Sequence, residues 1–332
     1  MIQFSYFKYK LYPQAALGAI ANDQPRDGAL LQIQWPDKKI GYADLFPWPE
    51  LGDYPLDRQL FELQEGRITP LVEQAIWLGR KDANLRAKKV NALTEAPRIK
   101  NHFLITDCTK VTDENLSEIR TAGFSTLKIK VGRQLHEEVR WVQRILEQFQ
   151  FQIRLDFNSS MDFSSYERFM SFFNAILRQK IEFVEDPFPY DAEAWSEASQ
   201  FAPLALDQEY DKVQWDTLTG RPPFQVLVIK PARQDVDKAL KHALAHELKI
   251  VITSSMDHPV GVAHAIRVAA DLKKDYGTQI LECGCYSHRA YRANEFSTAM
   301  IFQGPYLTQI AGTGIGFDDL LKVLPWTLIK AK

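Results

Sequence analysis

The sequence predicts an α/β protein in which an α+β segment precedes a parallel barrel of strands and helices. From about residue 99, short apolar segments alternate with segments of helical periodicity. Eight such strand candidates lie between residues 101 and 283, and this repetition favours a closed (β/α) barrel over an open sheet. A doubly wound sheet is the alternative, but no glycine-rich sequence follows the first of these strands.

The first 98 residues have a different pattern, in which strands come first and helices follow. Strict alternation of apolar and polar residues predicts the strands, and apolar residues spaced by three and four predict the helices. The predicted elements are a strand at 2–11, two strands within 28–46 joined by a turn at Pro36-Asp37, and helices at 56–66 and 68–89. We therefore expect an α+β domain at this end of the chain.

The barrel strands are short and apolar, and helix-like segments lie between most of them. The predicted strands are 101–105, 124–131, 151–156, 181–185, 203–207, 225–230, 249–253 and 279–283. The predicted helices are 113–123, 135–149, 164–179, 191–201, 235–248 and 259–274. The stretch after residue 207 is less regular than the rest.

The chain's tail loses the alternation and is predicted to fold back onto the first domain. We expect a capping domain of residues 1–98, to which residues 304–332 return, and a catalytic barrel of residues 99–303. An internal loop at 13–29 has the length of a mobile lid and is expected to close over the site.

Composition excludes several classes of function. The net charge of -2 does not indicate a nucleic-acid partner or an anionic membrane surface. Three cysteines, Cys108, Cys283 and Cys285, form no disulfide framework or zinc spacing, so we interpret them as packing residues. No window approaches the roughly 18 apolar residues of a membrane span. The expectation is a cytoplasmic protein acting on a small molecule, and the sequence does not indicate its oligomeric state.

The segment 126–132, TLKIKVG, carries two lysines in an otherwise apolar strand. Side chains alternate between the faces of a strand, so Lys128 and Lys130 share one face and the aliphatic residues the other. One interpretation is an edge strand whose exposed lysines discourage pairing. The other is that two ammonium groups are held inside the protein for a chemical purpose.

Charged residues recur where consecutive barrel strands end. They are Lys130, Asp156, Glu185, Asp207 and Lys230. The carboxyl ends of barrel strands carry the active site, and three carboxylates converging there would repel one another without a cation. Oxygen ligands of this kind suit Mg²⁺, with Mn²⁺ as a substitute, and the lysines would stand on either side of the ion.

Five motifs taken together resemble the muconate-lactonising subgroup of the enolase superfamily. They are Lys128-x-Lys130, Asp156-x-Asn158, Glu185-Asp186-Pro187, Asp207 and Lys230. The resemblance covers nearly the whole chain. It implies a (β/α)7β barrel of the TIM type, capped by an α+β domain that is built from the N-terminal segment and the tail.

The resemblance also implies roles for these residues. Asp156, Glu185 and Asp207 would be the metal ligands. The acid/base pair would be Lys130 and Lys230, on opposite sides of the α-carbon of a bound carboxylate substrate, with Lys128 supporting and Asn158 contacting substrate. Like charge on Lys128 and the nearby ion should lower the pKa of Lys130, which must lose its proton before acting as a base.

Weaker features choose among members of the subgroup. Ser254-Ser255, after the seventh strand, resembles the turn that receives the succinyl carboxylate in o-succinylbenzoate synthases, although simple helix capping by serine explains it equally well. The eighth strand lacks the Asp-x-Asp of dipeptide epimerases. Residues 41–53 resemble the synthases' capping loop, with Asp44 where glutamate is more usual.

The expected activity is therefore that of an o-succinylbenzoate synthase, a Mg²⁺-dependent dehydratase of menaquinone biosynthesis. An N-acylamino acid racemase or dipeptide epimerase is the alternative, and a non-catalytic metal-binding barrel is a further one. The third ligand precedes Gln208 where the family usually has glutamate, which leaves Glu209 as a rival ligand. His258 is interpreted as a surface or supporting residue, and Arg154 as part of an ion pair inside the barrel.

Overall fold

The computed structural model describes residues 2–17, 23–94 and 96–330, and its elements follow the order that the sequence predicts. The strands are β1 (Gln3–Leu11), β2 (Arg26–Gln34), β3 (Ile40–Leu45), β4 (Phe103–Ile105), β5 (Thr126–Lys130), β6 (Gln152–Asp156), β7 (Ile181–Glu185), β8 (Leu204–Leu206), β9 (Val226–Ile229), β10 (Lys249–Ile252), β11 (Ile301–Gln303), β12 (Tyr306–Gln309) and β13 (Thr327–Leu328).

The α-helices lie mostly between these strands. They are α1 (Leu56–Gln64), α2 (Pro70–Ala87), α3 (Asp113–Thr121), α4 (Leu135–Gln148), α5 (Phe163–Ser171), α6 (Ala175–Arg178), α7 (Ala192–Ala198), α8 (Val236–Ala245), α9 (Pro259–Tyr276), α10 (Glu295–Thr298) and α11 (Asp318–Val323). Of the predicted lid loop, residues 18–22 lie outside the described residues.

The N-terminal segment forms an antiparallel sheet of order β13-β1-β2-β3 with α1 and α2 against one face. Alternation puts Ala29, Leu31 and Ile33 of β2 on the helix side, where they are fully buried. β13 pairs with β1 through Ser5 and Leu328, so the chain's tail returns to this sheet.

Seven parallel strands run in the order β4 to β10 without interruption. Residues 280–284 close the ring, because isolated parallel bridges join Ile280 to Ile250, Gly284 to Thr253 and Cys283 to Asn101. The eighth strand is thus a series of single bridges and not a continuous ladder. The predicted (β/α)7β barrel is confirmed.

One predicted helix divides in two. The segment 164–179 forms α5 and α6, because the Asn174 side chain accepts the Leu177 N–H at 3.0 Å and starts a new helix. Cys108, Cys283 and Cys285 are free and buried, as packing residues should be.

The two lysines of TLKIKVG lie in an interior strand, since β5 pairs with β4 on one side and β6 on the other. Leu127 and Ile129 are fully buried on the helix side of the sheet. Lys128 is only 7% exposed, so the edge-strand interpretation is wrong. Both ammonium groups lie within the barrel.

Candidate active site

A pocket with ≈ 770 Å³ of empty space, which includes its opening to solvent, occupies the mouth of the barrel beneath the capping domain. From the barrel, Lys128, Lys130, Asp156 and Lys230 line it, and Trp48 is one of the residues that line it from the cap. The carboxyl ends of β5 to β9 all meet here, because parallel strands of a barrel end at the same rim.

The Lys128 ammonium group lies between two predicted metal ligands. Its Nζ is 2.6 Å from both carboxylate oxygens of Glu185 and 2.9 Å from Asp156 Oδ2. Asp156 and Glu185 are each 1% exposed, and they are the last residues of adjacent strands. The strand register, which pairs Asp156 with Glu185, brings the carboxylates together.

Burial and mutual repulsion shift the proton affinities of this cluster. Burial raises the pKa of Glu185 to about 7, and the Asp156 and Asp207 carboxylates add to the rise. Burial also opposes charge on Lys128, but Asp156, Glu185 and Asp207 outweigh it and raise the pKa of that amine. The cluster of negative charge therefore keeps Lys128 protonated.

Lys130 has the opposite environment. Its Nζ donates to Asn158 Oδ1 at 2.9 Å and lies 3.3 Å from Asp156 Oδ2. Burial lowers the pKa of Lys130, and although the Asp156 carboxylate opposes this, the positive charges of Lys128 and Lys230 lower it further. The direction is the one the sequence predicts, but burial is the largest cause.

The third carboxylate follows β8 and is held by a neighbouring strand end. Asp207 is 3% exposed and forms an ion pair with Lys230. Its backbone N–H donates to Asp186 Oδ1 at 3.0 Å, and the Gln208 N–H donates to Asp186 Oδ2 at 2.9 Å. Asp186 thus fixes the turn after β8. Glu209 lies away from the pocket, since its carboxylate accepts from the Tyr190 N–H and from Lys212.

Lys130 and Lys230 face each other across the barrel. They lie at the ends of β5 and β9, which are four strands apart in a ring of eight. A small molecule in the pocket would therefore have one lysine on each side. This arrangement suits proton transfer at a carbon atom between them.

The carboxylates fit a hard divalent ion by their chemistry. Asp156, Glu185 and Asp207 are buried oxygen donors on three adjacent strand ends, and the only close cations at Asp156 Oδ2 among the described residues are the Lys128 and Lys130 ammonium groups. Between residues 2 and 330, apart from 18–22 and 95, no three His, Cys, Asp or Glu side chains are arranged as a ready metal cage. Lys128 and Lys230 compensate the negative charge here.

The predicted serine turn lines the pocket but does not cap the following helix. His258 is the N-cap of α9, with its Nδ1 accepting the Val260 N–H at 3.2 Å, so the capping explanation of the serines is wrong. The Ser254 hydroxyl is paired with Ser287 Oγ at 2.5 Å, whereas the buried Ser255 hydroxyl has no partner. Ser255 thus has a donor free for a ligand.

The cap reaches the pocket through the loop after β3. Trp48 lines the pocket, and its indole N–H donates to the Ser255 carbonyl at 3.0 Å. Asp53 accepts the Trp48 N–H at 2.7 Å and pairs with both terminal nitrogens of Arg233, at 2.7 and 3.0 Å. The loop is therefore tied directly to the barrel. Phe46 packs behind it against aromatic rings.

His258 is not at the surface, because the cap covers it. His258 is 3% exposed, and its backbone N–H donates to Asp44 Oδ2 at 3.0 Å. Burial lowers the pKa of His258 to about 3, so its ring is neutral. Asp44 thus connects β3 to the loop after β10.

Several pocket residues carry no signal in the sequence pattern that would mark them as functional. They include His102, Thr253, Gly284, Ser287 and Arg233. None is a charged residue at the last position of a predicted strand, which is the signal that marks the others. Arg154 does lie inside the barrel, and it forms an ion pair with Glu182 at 2.6 Å.

Comparison with known proteins agrees with this geometry. Residues 4–85 match the family model of the o-succinylbenzoate synthase N-terminal domain, and residues 112–319 match the enolase C-terminal domain-like model. The chain is 44% identical over 332 residues to o-succinylbenzoate synthase of Bdellovibrio bacteriovorus, covering 100% of both chains. The chain belongs to the o-succinylbenzoate synthase family.

Membership of the o-succinylbenzoate synthase family makes the chain a carbon–oxygen lyase of the enolase superfamily. A more distant relative is the o-succinylbenzoate synthase of Klebsiella pneumoniae, 26% identical over 263 residues, which cover 74% of this chain and 79% of the relative.

Solved structures of the superfamily share the fold. A dipeptide epimerase from Enterococcus faecalis, complexed with Mg and L-Leu-L-Tyr, has a TM-score of 0.75 at 17% identity, over 95% of this chain and 98% of that one. A mandelate racemase/muconate lactonizing enzyme from Roseiflexus has a TM-score of 0.72 at 16% identity, over 94% and 96%. At such identities the likeness shows the barrel and its cap.

Proposed function

We propose that the chain catalyses the Mg²⁺-dependent dehydration of 2-succinyl-6-hydroxy-2,4-cyclohexadiene-1-carboxylate to 2-succinylbenzoate, a step of menaquinone biosynthesis. The observation that carries the proposal is the pair Lys130 and Lys230 on opposite sides of one pocket, beside three buried carboxylates. Family membership supports this choice of substrate. A cytoplasmic location and the division into domains 1–98 with 304–332, and 99–303, are part of the same proposal.

Lys130 is the proposed base. Burial and two neighbouring cations lower the pKa of its amine, which favours the neutral form that can accept a proton. Its hydrogen bond to Asn158 Oδ1 holds the amine at the pocket wall. Lys130 would take the proton α to the ring carboxylate and return it to the departing hydroxyl on the same face, so that water leaves and the ring becomes aromatic.

Lys230 is the proposed electrostatic partner. It pairs with Asp207 and lines the wall opposite Lys130, where a fixed cation stabilises the anion that forms when the α-proton is removed. It need not exchange a proton in a dehydration. This distinguishes the synthase reaction from a racemisation, in which both lysines would transfer protons.

Asp156, Glu185 and Asp207 would hold the Mg²⁺ ion, with Mn²⁺ as a substitute. When bound, the ion would stabilise negative charge on the substrate carboxylate. Without it the three carboxylates depend on Lys128 and Lys230 for compensation. Ser254 and Ser255, at the other side of the pocket, would bind the succinyl arm, and Trp48 would cover it.

The direct test is an assay of purified protein with Mg²⁺ and the cyclohexadiene substrate, following loss of the diene's ultraviolet absorbance. We expect rapid loss that EDTA abolishes and added Mg²⁺ restores. A metal-loaded protein that leaves the substrate unchanged would contradict the proposal. It would then direct attention to the racemase and epimerase alternatives.

Two further measurements separate the alternatives. A racemase exchanges the α-proton of an N-acylamino acid with deuterated solvent, and we expect no such exchange to accompany dehydration. Lys230→Arg keeps a cation but not a reversible base, so a synthase retains part of its turnover whereas a racemase loses it. A non-catalytic barrel would bind Mg²⁺ and deprotonate neither substrate.

A further inference from the structure

Beneath the catalytic lysines, His102 contacts a buried arginine. Arg154 is fully buried, and its guanidinium donates to the Glu282 carbonyl at 2.7 Å and contacts His102 Nδ1 at 2.8 Å. Its Nε donates to Glu182 at 2.6 Å. These contacts fix the guanidinium across the interior of the barrel, and none of them uses the second ring nitrogen of His102.

The contact with Arg154 determines the tautomer of His102. A guanidinium group has donors and no acceptor, so His102 Nδ1 must accept and carries no proton. Burial lowers the pKa of His102, and the charges of Arg154 and Lys128 lower it further, so the ring is neutral. The one proton of a neutral imidazole is then on Nε2.

The Nε2–H of His102 is an unused donor facing the pocket region. Among the hydrogen bonds of residues 2–17, 23–94 and 96–330, none involves this nitrogen. His102 lines the pocket, although the residue is only 3% exposed. A neutral N–H donor in a pocket wall with no protein partner is available to an acceptor on a ligand or to water.

Space in front of this donor exists because residue 284 is glycine. A Cβ at Gly284 would lie 2.6 Å from Thr253 Cγ2, 2.8 Å from His102 Cε1 and 3.0 Å from its Nε2. The side chains of His102 and Thr253 therefore both pack against the Cα of Gly284. The Thr253 hydroxyl beside it is buried without a hydrogen-bond partner, so a second polar group at this corner is free to meet a ligand.

We propose that His102 is a substrate-binding residue whose Nε2–H donates to a carbonyl or carboxylate oxygen of the succinyl arm, with Arg154 as the positioning residue that fixes its tautomer. The inference rests on the proposed function. Thr253, which precedes the serine turn, is bridged to Gly284, and Gly284 contacts His102, so an arm that reaches the serines would lie near His102. A neutral donor suits this place, because Lys128 and Arg154 are already charged nearby.

Two substitutions separate substrate binding from a structural role. His102→Asn keeps an acceptor at the position of Nδ1 for Arg154 but removes the donor. His102→Gln places an amide donor near the position of Nε2 but lacks the Nδ1 acceptor. We expect His102→Asn to weaken binding of 2-succinylbenzoate to the Mg²⁺-loaded protein about three- to tenfold, and His102→Gln to stay within about twofold. A purely structural histidine predicts the reverse order.

Three ligands identify the acceptor oxygen. They are 2-succinylbenzoate, 2-(3-carboxypropyl)benzoate, which lacks the ketone, and 2-butanoylbenzoate, which lacks the terminal carboxylate. If the ketone is the acceptor, His102→Asn leaves affinity for the ketone-free ligand unchanged. If the carboxylate is the acceptor, the variant leaves affinity for 2-butanoylbenzoate unchanged. Equal affinities of wild type and His102→Asn for all three would overturn the inference.

A measurement on the unsubstituted protein avoids dependence on how the variants fold. The ¹⁵N resonances of the His102 ring should show a protonated Nε2 and a bare Nδ1, and adding 2-succinylbenzoate should shift Nε2 more than Nδ1. A protonated Nδ1, or an Nε2 resonance that does not shift when 2-succinylbenzoate is added, would contradict the inference. Wild-type turnover of the cyclohexadiene substrate is measured in parallel, so a failure of the proposed function is seen separately.

Discussion

Lys128 donates to both carboxylate oxygens of Glu185, at 2.6 Å each, and its Nζ also lies 2.9 Å from Asp156 Oδ2. One buried ammonium group thus compensates two buried carboxylates at adjacent strand ends. The arrangement gives Lys128 a role distinct from that of Lys130, although the two lysines share one face of one strand. Under the proposed function, Lys128 would hold the charge cluster together and Lys130 would exchange protons.

Replacing Lys128 by methionine should strongly destabilise the protein in the absence of metal. Removing one member of a buried ion pair leaves uncompensated charge, which costs about 3–5 kcal/mol of unfolding free energy. Urea unfolding with and without Mg²⁺ measures the loss, and the ion should restore part of it. The control is Lys8→Met, since the Lys8–Asp57 pair is exposed and should contribute little. Equal stability of the two variants in EDTA would refute the role of Lys128.

Ser255→Ala should weaken substrate binding without loss of stability. The Ser255 hydroxyl is buried with no partner, so its removal breaks no contact in the free protein. We expect KM to rise about three- to tenfold with an unchanged Tm. Ser254→Ala is the comparison, because it leaves the Ser287 hydroxyl unpaired and should lower Tm. Unchanged KM in Ser255→Ala would remove this serine from the substrate site.

Asp53→Ala should release the capping loop. The carboxylate ties the Trp48 N–H to the Arg233 guanidinium, so without it the loop loses one of its connections to the barrel and keeps the indole contact with the Ser255 carbonyl. We expect a higher KM, by about tenfold, with a smaller change in kcat, because the lysines themselves do not move. Asp57→Ala, at an exposed position of the same domain, is the control. Identical kinetics in both variants would show that the contacts of Asp53 with Trp48 and Arg233 do not affect substrate binding.

Asp257 should make stability fall as pH rises. Burial raises the pKa of its carboxyl to about 7, and the nearby Asp44 also has a raised pKa. The folded state therefore favours the protonated form of Asp257. The contribution of this carboxyl to the free energy of unfolding is fully present below about pH 4 and is lost as pH rises through about 7. Asp257→Asn should be more stable than wild type at pH 8, by up to roughly 4 kcal/mol, and equal to it at pH 4. A pH-independent difference in the unfolding free energy would contradict this.

The barrel and the residues at its rim can be predicted from the sequence because both follow from local rules. A period of two assigns each strand's faces, and parallel strands in a barrel end at the same rim. These two rules alone lead one to expect that the five charged strand ends meet. The structure places Lys128, Lys130, Asp156 and Lys230 in one pocket, with Glu185 and Asp207 directly behind them.

The relations that escape prediction depend on depth and on contacts between domains. His102 immediately precedes β4, and the absence of a side chain at Gly284, far away in sequence, leaves room for its ring at the pocket. The sequence predicts His258 at the surface or in support of the site, but Asp44 of the cap covers it. Neither relation leaves a periodic signal in the sequence.

Helix boundaries show a further limit. One continuous amphipathic pattern predicts a single helix at 164–179, but the Asn174 side chain caps a second helix inside it. The final barrel strand at 279–283 has the same pattern as the others and forms only single bridges.

The described residues contain no helix that is long and apolar enough to cross a bilayer.

The central claim is that Lys130 is the base, and the turnover of Lys130→Ala tests it most directly. The variant is assayed with Mg²⁺ and the cyclohexadiene substrate beside Lys110→Ala, which removes a surface lysine. We predict that Lys130→Ala keeps its native circular dichroism and loses at least about a thousandfold in kcat, while Lys110→Ala is unchanged. A folded Lys130→Ala enzyme with kcat close to that of wild type would show that another group removes the proton.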